Sequence, residues 1–161
     1  MTTDIVRVLF VDDDELVLRT IERAMRTAPV QAFFTTDPEQ AFGLVVAERI
    51  DIVVSDQSMP ELSGVELFGI LRRLHEHVLR VMLTGQNDRE TAFAAINEGR
   101  IHRFLEKPWQ AEHLRAVIGE LARDVRAARA AAREATALPT RRASRTITRD
   151  LTGTVILPPS S

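Results

Sequence analysis

Asp12, Asp13 and Asp14 stand in a row near the start of this sequence, Asp56 stands alone further on, and Thr84 and Lys107 follow. Clustered carboxylates repel one another and are tolerated only beside a cation or with shifted protonation. An all-oxygen donor set suits Mg2+, a hard ion that keeps several waters and can also bind phosphate oxygens. Asp56 would then be an attacking carboxylate that forms an aspartyl phosphate. Thr84 could donate a hydrogen bond to that phosphate, and Lys107 could pair with it. Phosphoryl transfer needs mainly such positioning and charge neutralisation.

These groups can act together only if the fold gathers them. Apolar, β-branched runs occur at Ile5–Val11, Val30–Thr35, Ile52–Ser55, Val78–Leu83 and Ile101–Leu105. The first, third and fourth are short and almost continuously apolar, as are strands buried on both faces of a parallel sheet. Helical stretches lie between them. Glu15–Thr27 places Leu16, Ile21, Ala24 and Met25 roughly on one face. Asp37-Pro38-Glu39-Gln40 is a start signal, with Gln40 expected to complete a capping box. Val65–Leu74 carries a further apolar stripe, and a fourth helix opens at Asn87 or Asp88 and ends at Gly99. Strand and helix thus alternate in a doubly wound α/β sheet, whose ligands bind at the carboxyl ends of the strands. Asp12–Asp14 follow the first run, Asp56 the third, Thr84 closes the fourth and Lys107 lies just past the fifth. All are therefore expected on one edge.

The last helix is expected from Trp109 or Gln110 to Thr136 or Ala137, ended by Pro139. Ile118, Leu121, Val125, Ala128, Ala132 and Ala135 follow a heptad-like spacing along it. The first half of that stripe is expected to cover the sheet. The alanine-rich second half reads either as an unpaired helix or as a seam for a homodimer or partner helix. From Pro139 to Ser161 threonine, serine, proline and arginine dominate without a sustained period, so this stretch is expected to be a disordered tail.

The chain has 161 residues with 21 basic and 23 acidic side chains, net charge −2, and no cysteine. That length suits one domain with an appendage, and disulfides and thiolate metal sites are excluded. Residues 136–161 carry a net +3 and residues 1–135 a net −5, so the near-neutral total averages two unlike parts. No apolar run approaches the ~20 residues of a membrane span, and nothing resembling a secretory signal precedes the first strand. A cytoplasmic protein that binds neither membrane nor nucleic acid directly is expected. His75, His77, His102 and His113 show no ligand spacing and read as surface residues.

The stretches Val11-Asp12-Asp13-Asp14, Ser55-Asp56-Gln57-Ser58-Met59-Pro60, Leu83-Thr84-Gly85 and Phe104-Leu105-Glu106-Lys107-Pro108-Trp109 together resemble the receiver domain of bacterial two-component response regulators. The resemblance covers residues 4–125, leaving 126–138 as an extension of the last helix and 139–161 as the tail. It implies a flavodoxin-like sheet of strand order 2-1-3-4-5, with Asp56 as phosphoacceptor. Asp12, Asp13, Asp56 and the backbone carbonyl of Ser58 would hold Mg2+, with Asp13 binding directly and Asp12 through water. Lys107 would contact the phosphoryl group ahead of a cis bond to Pro108, and Thr84 with Phe104 would form the switch pair. A histidine kinase or phosphotransfer protein is the implied phosphodonor. A downstream protein would read the face of the fourth helix, fifth strand and last helix. Ser63 replaces an aspartate common in the family.

Three functions compete on these residues. The favoured one is a stand-alone or adaptor-type receiver; its alternative is the N-terminal part of a longer regulator with an enzymatic output such as a cyclic-dinucleotide phosphodiesterase. The run Ile96–Phe104 resembles receivers of that second kind. A magnesium phosphohydrolase with an aspartate nucleophile would place a second aspartate two residues on, where this chain has Ser58. A transcription factor would need a DNA-binding domain, for which the residues after Pro139 are too few and too unpatterned.

Overall fold

A computed structural model describes residues 4–137, together with 148–149 and 155–156. It divides into one compact unit up to Arg129 and a second from Ala130 onward.

The first unit follows the expected alternation. Its strands are β1 (Val6–Val11), β2 (Val30–Thr35), β3 (Ile52–Asp56), β4 (Leu79–Thr84) and β5 (Arg103–Glu106). The helices are α1 (Glu15–Met25), α2 (Pro38–Ala47), α3 (Gly64–Leu74), α4 (Arg89–Asn97) and α5 (Ala111–Ala137), the last belonging to this unit as far as Arg129, with a short 3-10 turn, Gln86–Asp88, ahead of α4. The sheet is parallel throughout, in the order β2-β1-β3-β4-β5. This is the flavodoxin-like arrangement.

Alternation within the strands builds a separate core on each face. Val8 and Phe10 of β1, Ile52 and Val54 of β3 and Val81 and Leu83 of β4 pack with Leu18 and Ile21 of α1 and Leu114, Ile118 and Leu121 of α5. Their neighbours Leu9, Val11, Val53 and Met82 pack on the opposite face against Val45 of α2, Leu67, Phe68 and Leu71 of α3 and Ala92 and Ala95 of α4. A strand buried on both sides has no polar face to show, which is why these runs read as continuously apolar.

The helix ends follow local chemistry, with one correction. Asp14 caps α1, its side chain accepting from Leu16 N, and Asp37 caps α2 by accepting from Glu39 N. Gln40 does not close a capping box. Its Oε1 accepts instead from Thr35 Oγ1, and the Asp37 N–H donates to that same hydroxyl. The reciprocal box occurs at α3, between Ser63 and Glu66. Gly99 follows α4 with φ +70°, a conformation glycine adopts without strain.

Three arginines of α5 tie it to α1 and to the connections that lead into the strands. Arg115, Arg126 and Arg129 donate to the carbonyls of Ala24, Pro29 and Ile5, and Arg129 also pairs with Asp51 at 2.7 Å. The stripe is buried at Ile118 and Leu121, half-buried at Val125 and exposed at Ala128, Ala132 and Ala135. In the second unit Thr148–Arg149 pairs antiparallel with Val155–Ile156. The rest of the expected disordered tail lies outside the described residues.

Candidate functional site

The carboxyl ends of β1 and β3 lie side by side because those strands pair in parallel register, Val11 opposite Ser55. The chain therefore delivers Asp12 and Asp13 next to Asp56, the last residue of β3. One carboxylate oxygen from each of the three lies within 4.8 Å of the others, with Asp12 and Asp56 buried and Asp13 exposed. Lys107, just beyond β5, reaches across the edge to place its Nζ 2.8 Å from Asp56 Oδ1. Its bond to Pro108 is cis, as expected.

The β3–α3 loop holds Asp56 firmly. Gln57 accepts from Gly64 N through its carbonyl and from Val65 N through its side chain. A Cβ on Gly64 would lie 2.7 Å from the Asp56 carbonyl oxygen, so only glycine lets α3 begin this close to the end of β3. Ser58 is exposed, and its hydroxyl donates to Asp88 Oδ2.

Thr84 ends β4 as expected and is fully buried, but its hydroxyl is directed at the Leu105 carbonyl, 3.5 Å away. Phe104 is half-buried on β5 and meets Phe93 of α4 edge-on, with ring centroids 5.3 Å apart. The fold thus gathers Asp12, Asp13, Asp56 and Lys107 into direct association. Thr84, Phe104 and Ser58 lie around them with other partners.

Asp12 shows the strain of this grouping. It is 1% exposed, its Oδ1 accepts from Asp14 N, and its Oδ2 is buried with no hydrogen-bond partner. Burial pushes its carboxyl up to about 6; the charges of Asp56 and Asp13 add to this, while the Asp14 N–H and Lys107 oppose it. A buried, partnerless oxygen on one of three clustered carboxylates fits a hard divalent cation, which would supply the missing partner. Among the described residues, this is the group of acidic or histidine side chains close enough to share an ion.

The profile of the response regulator receiver domain matches residues 8–119. The chain belongs to that family. Similar proteins include the hydrogenase transcriptional regulatory protein HoxA of Cupriavidus necator, 30% identical over 66% of this chain and 22% of HoxA. The response regulator MprA of Mycolicibacterium vanbaalenii is 30% identical over 73% of this chain and 51% of its own length. This receiver chain therefore spans from about a fifth to about half of these relatives. Among solved structures, the signal receiver domain of an HD domain-containing protein from Pseudomonas fluorescens is 28% identical with TM-score 0.70, covering 77% of this chain and 98% of that one. The adenylate cyclase structure from Rhodopirellula baltica is 27% identical with TM-score 0.71, covering 80% and 98%. Receivers act in two-component signalling with histidine kinases and downstream effectors. No helix among the described residues is long and apolar enough to cross a membrane.

Several receiver residues gave no signal in the sequence. Arg89 of α4 forks onto Glu106 of β5 at 2.7 and 2.8 Å, and Asp88 receives Ser58 from another loop. His102 is half-buried rather than on the surface: its Nδ1 accepts from Arg80 N. Arg80, itself buried, donates to the carbonyls of Arg100, Val78, Glu76 and Gly99. Apart from the Arg80 bonds to Val78 and Glu76, which are local, these pairings join segments that the packing of neighbouring strands brings together.

Proposed function

We propose that this receiver is phosphorylated on Asp56 and presents an altered surface to a downstream protein. The observation that carries the reading is Asp56 itself: a buried carboxylate paired with Lys107 at 2.8 Å and grouped with Asp12 and Asp13. Lys107 engages Oδ1, leaving Oδ2 as the attacking atom. A bond forms from that oxygen to phosphorus as the bond from phosphorus to the donor's leaving group breaks. In a phosphohistidine donor the leaving group is the imidazole nitrogen, which departs with the electron pair. Magnesium held by Asp12, Asp13, Asp56 and the Ser58 carbonyl would supply positive charge against the phosphoryl oxygens.

The chain's own residues do the rest. Lys107 orients the Asp56 carboxylate before reaction and pairs with the phosphoryl group afterwards. The product adds roughly −1.5 to −2 charge, by analogy with phosphoserine, and new acceptor oxygens. Thr84 is the hydroxyl that would turn from Leu105 to meet them, and Phe104 would follow into the space it leaves. The face built by α4, β5 and α5 then changes, which makes a local charge event legible to a partner. The product serves as a signal, because Ser58 stands where a hydrolase of this chemistry carries its proton-shuttling aspartate.

Stand-alone or adaptor action is the first form of this reading. A second, that these residues are the N-terminal receiver of a longer regulator with an enzymatic output such as a cyclic-dinucleotide phosphodiesterase, is favoured by the likeness to the receiver of an HD domain-containing protein. Intact mass after incubation with acetyl phosphate and Mg2+ tests the site. One added phosphate in the wild type and none in Asp56→Asn is expected. No gain, or a gain that survives the substitution, refutes it. Sustained turnover of free phosphoesters would favour the hydrolase instead.

A further inference from the structure

Asp88 and Arg89 are neighbours in sequence that reach to opposite sides of the site. Asp88 closes the 3-10 turn and accepts from Ser58 Oγ at 3.0 Å. Arg89 opens α4 and places Nε and Nη2 on the two carboxylate oxygens of Glu106. Ser58 lies two residues beyond Asp56, and Glu106 immediately precedes Lys107. Both anchors therefore flank groups that meet in the site.

The segment between them starts at Thr84. Thr84 stands opposite Glu106 in the β4–β5 register, and Lys107 N donates to the Thr84 carbonyl at 2.7 Å. Its hydroxyl is spent on Leu105 O, the longest of the bonds named around the site. Donating to a phosphoryl group on Asp56 means leaving Leu105, while the chain from 84 to 89 is tied on both sides. We propose that Asp88 and Arg89 are positioning residues whose bonds to Ser58 and Glu106 clasp this segment in its resting arrangement, so that phosphoryl transfer to Asp56 proceeds against them. The proposal rests on the phosphoacceptor reading above.

A two-pronged guanidinium–carboxylate pair is geometrically demanding and so favours one arrangement over its neighbours. A contact made in only one arrangement shifts the balance by its own free energy. Because the pair is exposed the brake is a soft one, worth about a three- to fivefold change in rate.

The test is the initial rate of phosphate gain by intact mass on the full chain with acetyl phosphate and Mg2+. Arg89→Ala and Glu106→Gln are each expected to accelerate it about three- to fivefold, and Asp88→Ala, which loses the hydrogen bond from Ser58, to accelerate it as well. Arg89→Ala removes a positive charge and Glu106→Gln a negative one. Attraction of the anionic donor alone would move them in opposite directions, so acceleration in both reports the clasp. Arg89→Lys keeps the charge and loses the fork, and is expected to accelerate as well. The exchanged pair Arg89→Glu with Glu106→Arg is expected to return toward the wild-type rate, and Arg19→Ala, at an exposed pair on α1, to leave it unchanged. Rates within 1.5-fold of wild type, about the smallest shift an exposed pair would give, or slower rates in Arg89→Ala and Glu106→Gln overturn the clasp. A wild-type chain that takes up no phosphate overturns the phosphoacceptor reading instead.

Discussion

Replacing Asp12 by asparagine should stabilise the protein in the absence of divalent cations. Asp12 is ionised at pH 7.5 although its carboxyl has been pushed from 3.8 to about 6, chiefly by burial. A raised carboxyl favours the folded state at low pH, and that advantage is lost as pH rises through about 6. Held that far above its ordinary value, the ionised carboxylate costs the folded state about 3 kcal/mol at neutral pH. Asparagine keeps the acceptor that takes the Asp14 N–H and replaces the partnerless Oδ2 with an uncharged group, removing one of three clustered negative charges. A gain of about 1–3 kcal/mol is expected at pH 7.5 in chelator, which for a domain of this size is a rise in Tm of roughly 4–10 °C. The gap should narrow as pH falls from 7.5 toward 4.5. Magnesium should raise the wild-type Tm, by about 1.4 kcal/mol of stability at ten times its Kd, and move the variant much less. Thermal unfolding followed by circular dichroism, with chelator and with magnesium, reads both effects. An asparagine variant no more stable than wild type in chelator, or one that magnesium stabilises equally, refutes the argument.

Two other expectations follow from the same structure. His102 is held below its ordinary 6.5 by burial and by the cations Arg80 and Arg103, so it folds neutral. Its contribution is full above pH 6.5 and is lost as pH falls below that value, because the unfolded chain takes up the proton first. Urea midpoints from pH 8 to 5.5 should therefore fall less in His102→Gln than in wild type; equal slopes would show that the Arg80 bond carries no such linkage. Gly64→Ala should lower stability by about 1–3 kcal/mol, since the new methyl meets the Asp56 carbonyl and the loop must shift. Urea unfolding checks this, and an unchanged midpoint would mean the loop yields freely.

Much of this receiver was legible in its sequence because its site lies on regular elements. Apolar runs marked the strands, and residues following a buried strand in a parallel sheet emerge on one edge. Asp12, Asp13, Asp56 and Lys107 needed no further information to be brought together. Local signals also served where both partners are local, as with Asp37 and Pro38 at the start of α2. The Gln40 box failed because Thr35, at the end of a strand, offered its hydroxyl to both Gln40 and Asp37. His102 read as a surface residue because its partner, the Arg80 N–H, comes from a neighbouring strand.

Tertiary structure alone decided which loops meet across the carboxyl edge. The bonds Ser58–Asp88 and Arg89–Glu106 depend on the register of β3, β4 and β5 and on where each loop turns. Asp51 and Arg129 likewise pair across 78 residues of chain because α5 lies along the sheet. Composition and periodicity are properties of one segment at a time. A side-chain pair belongs to two segments, and only their packing places its ends within reach.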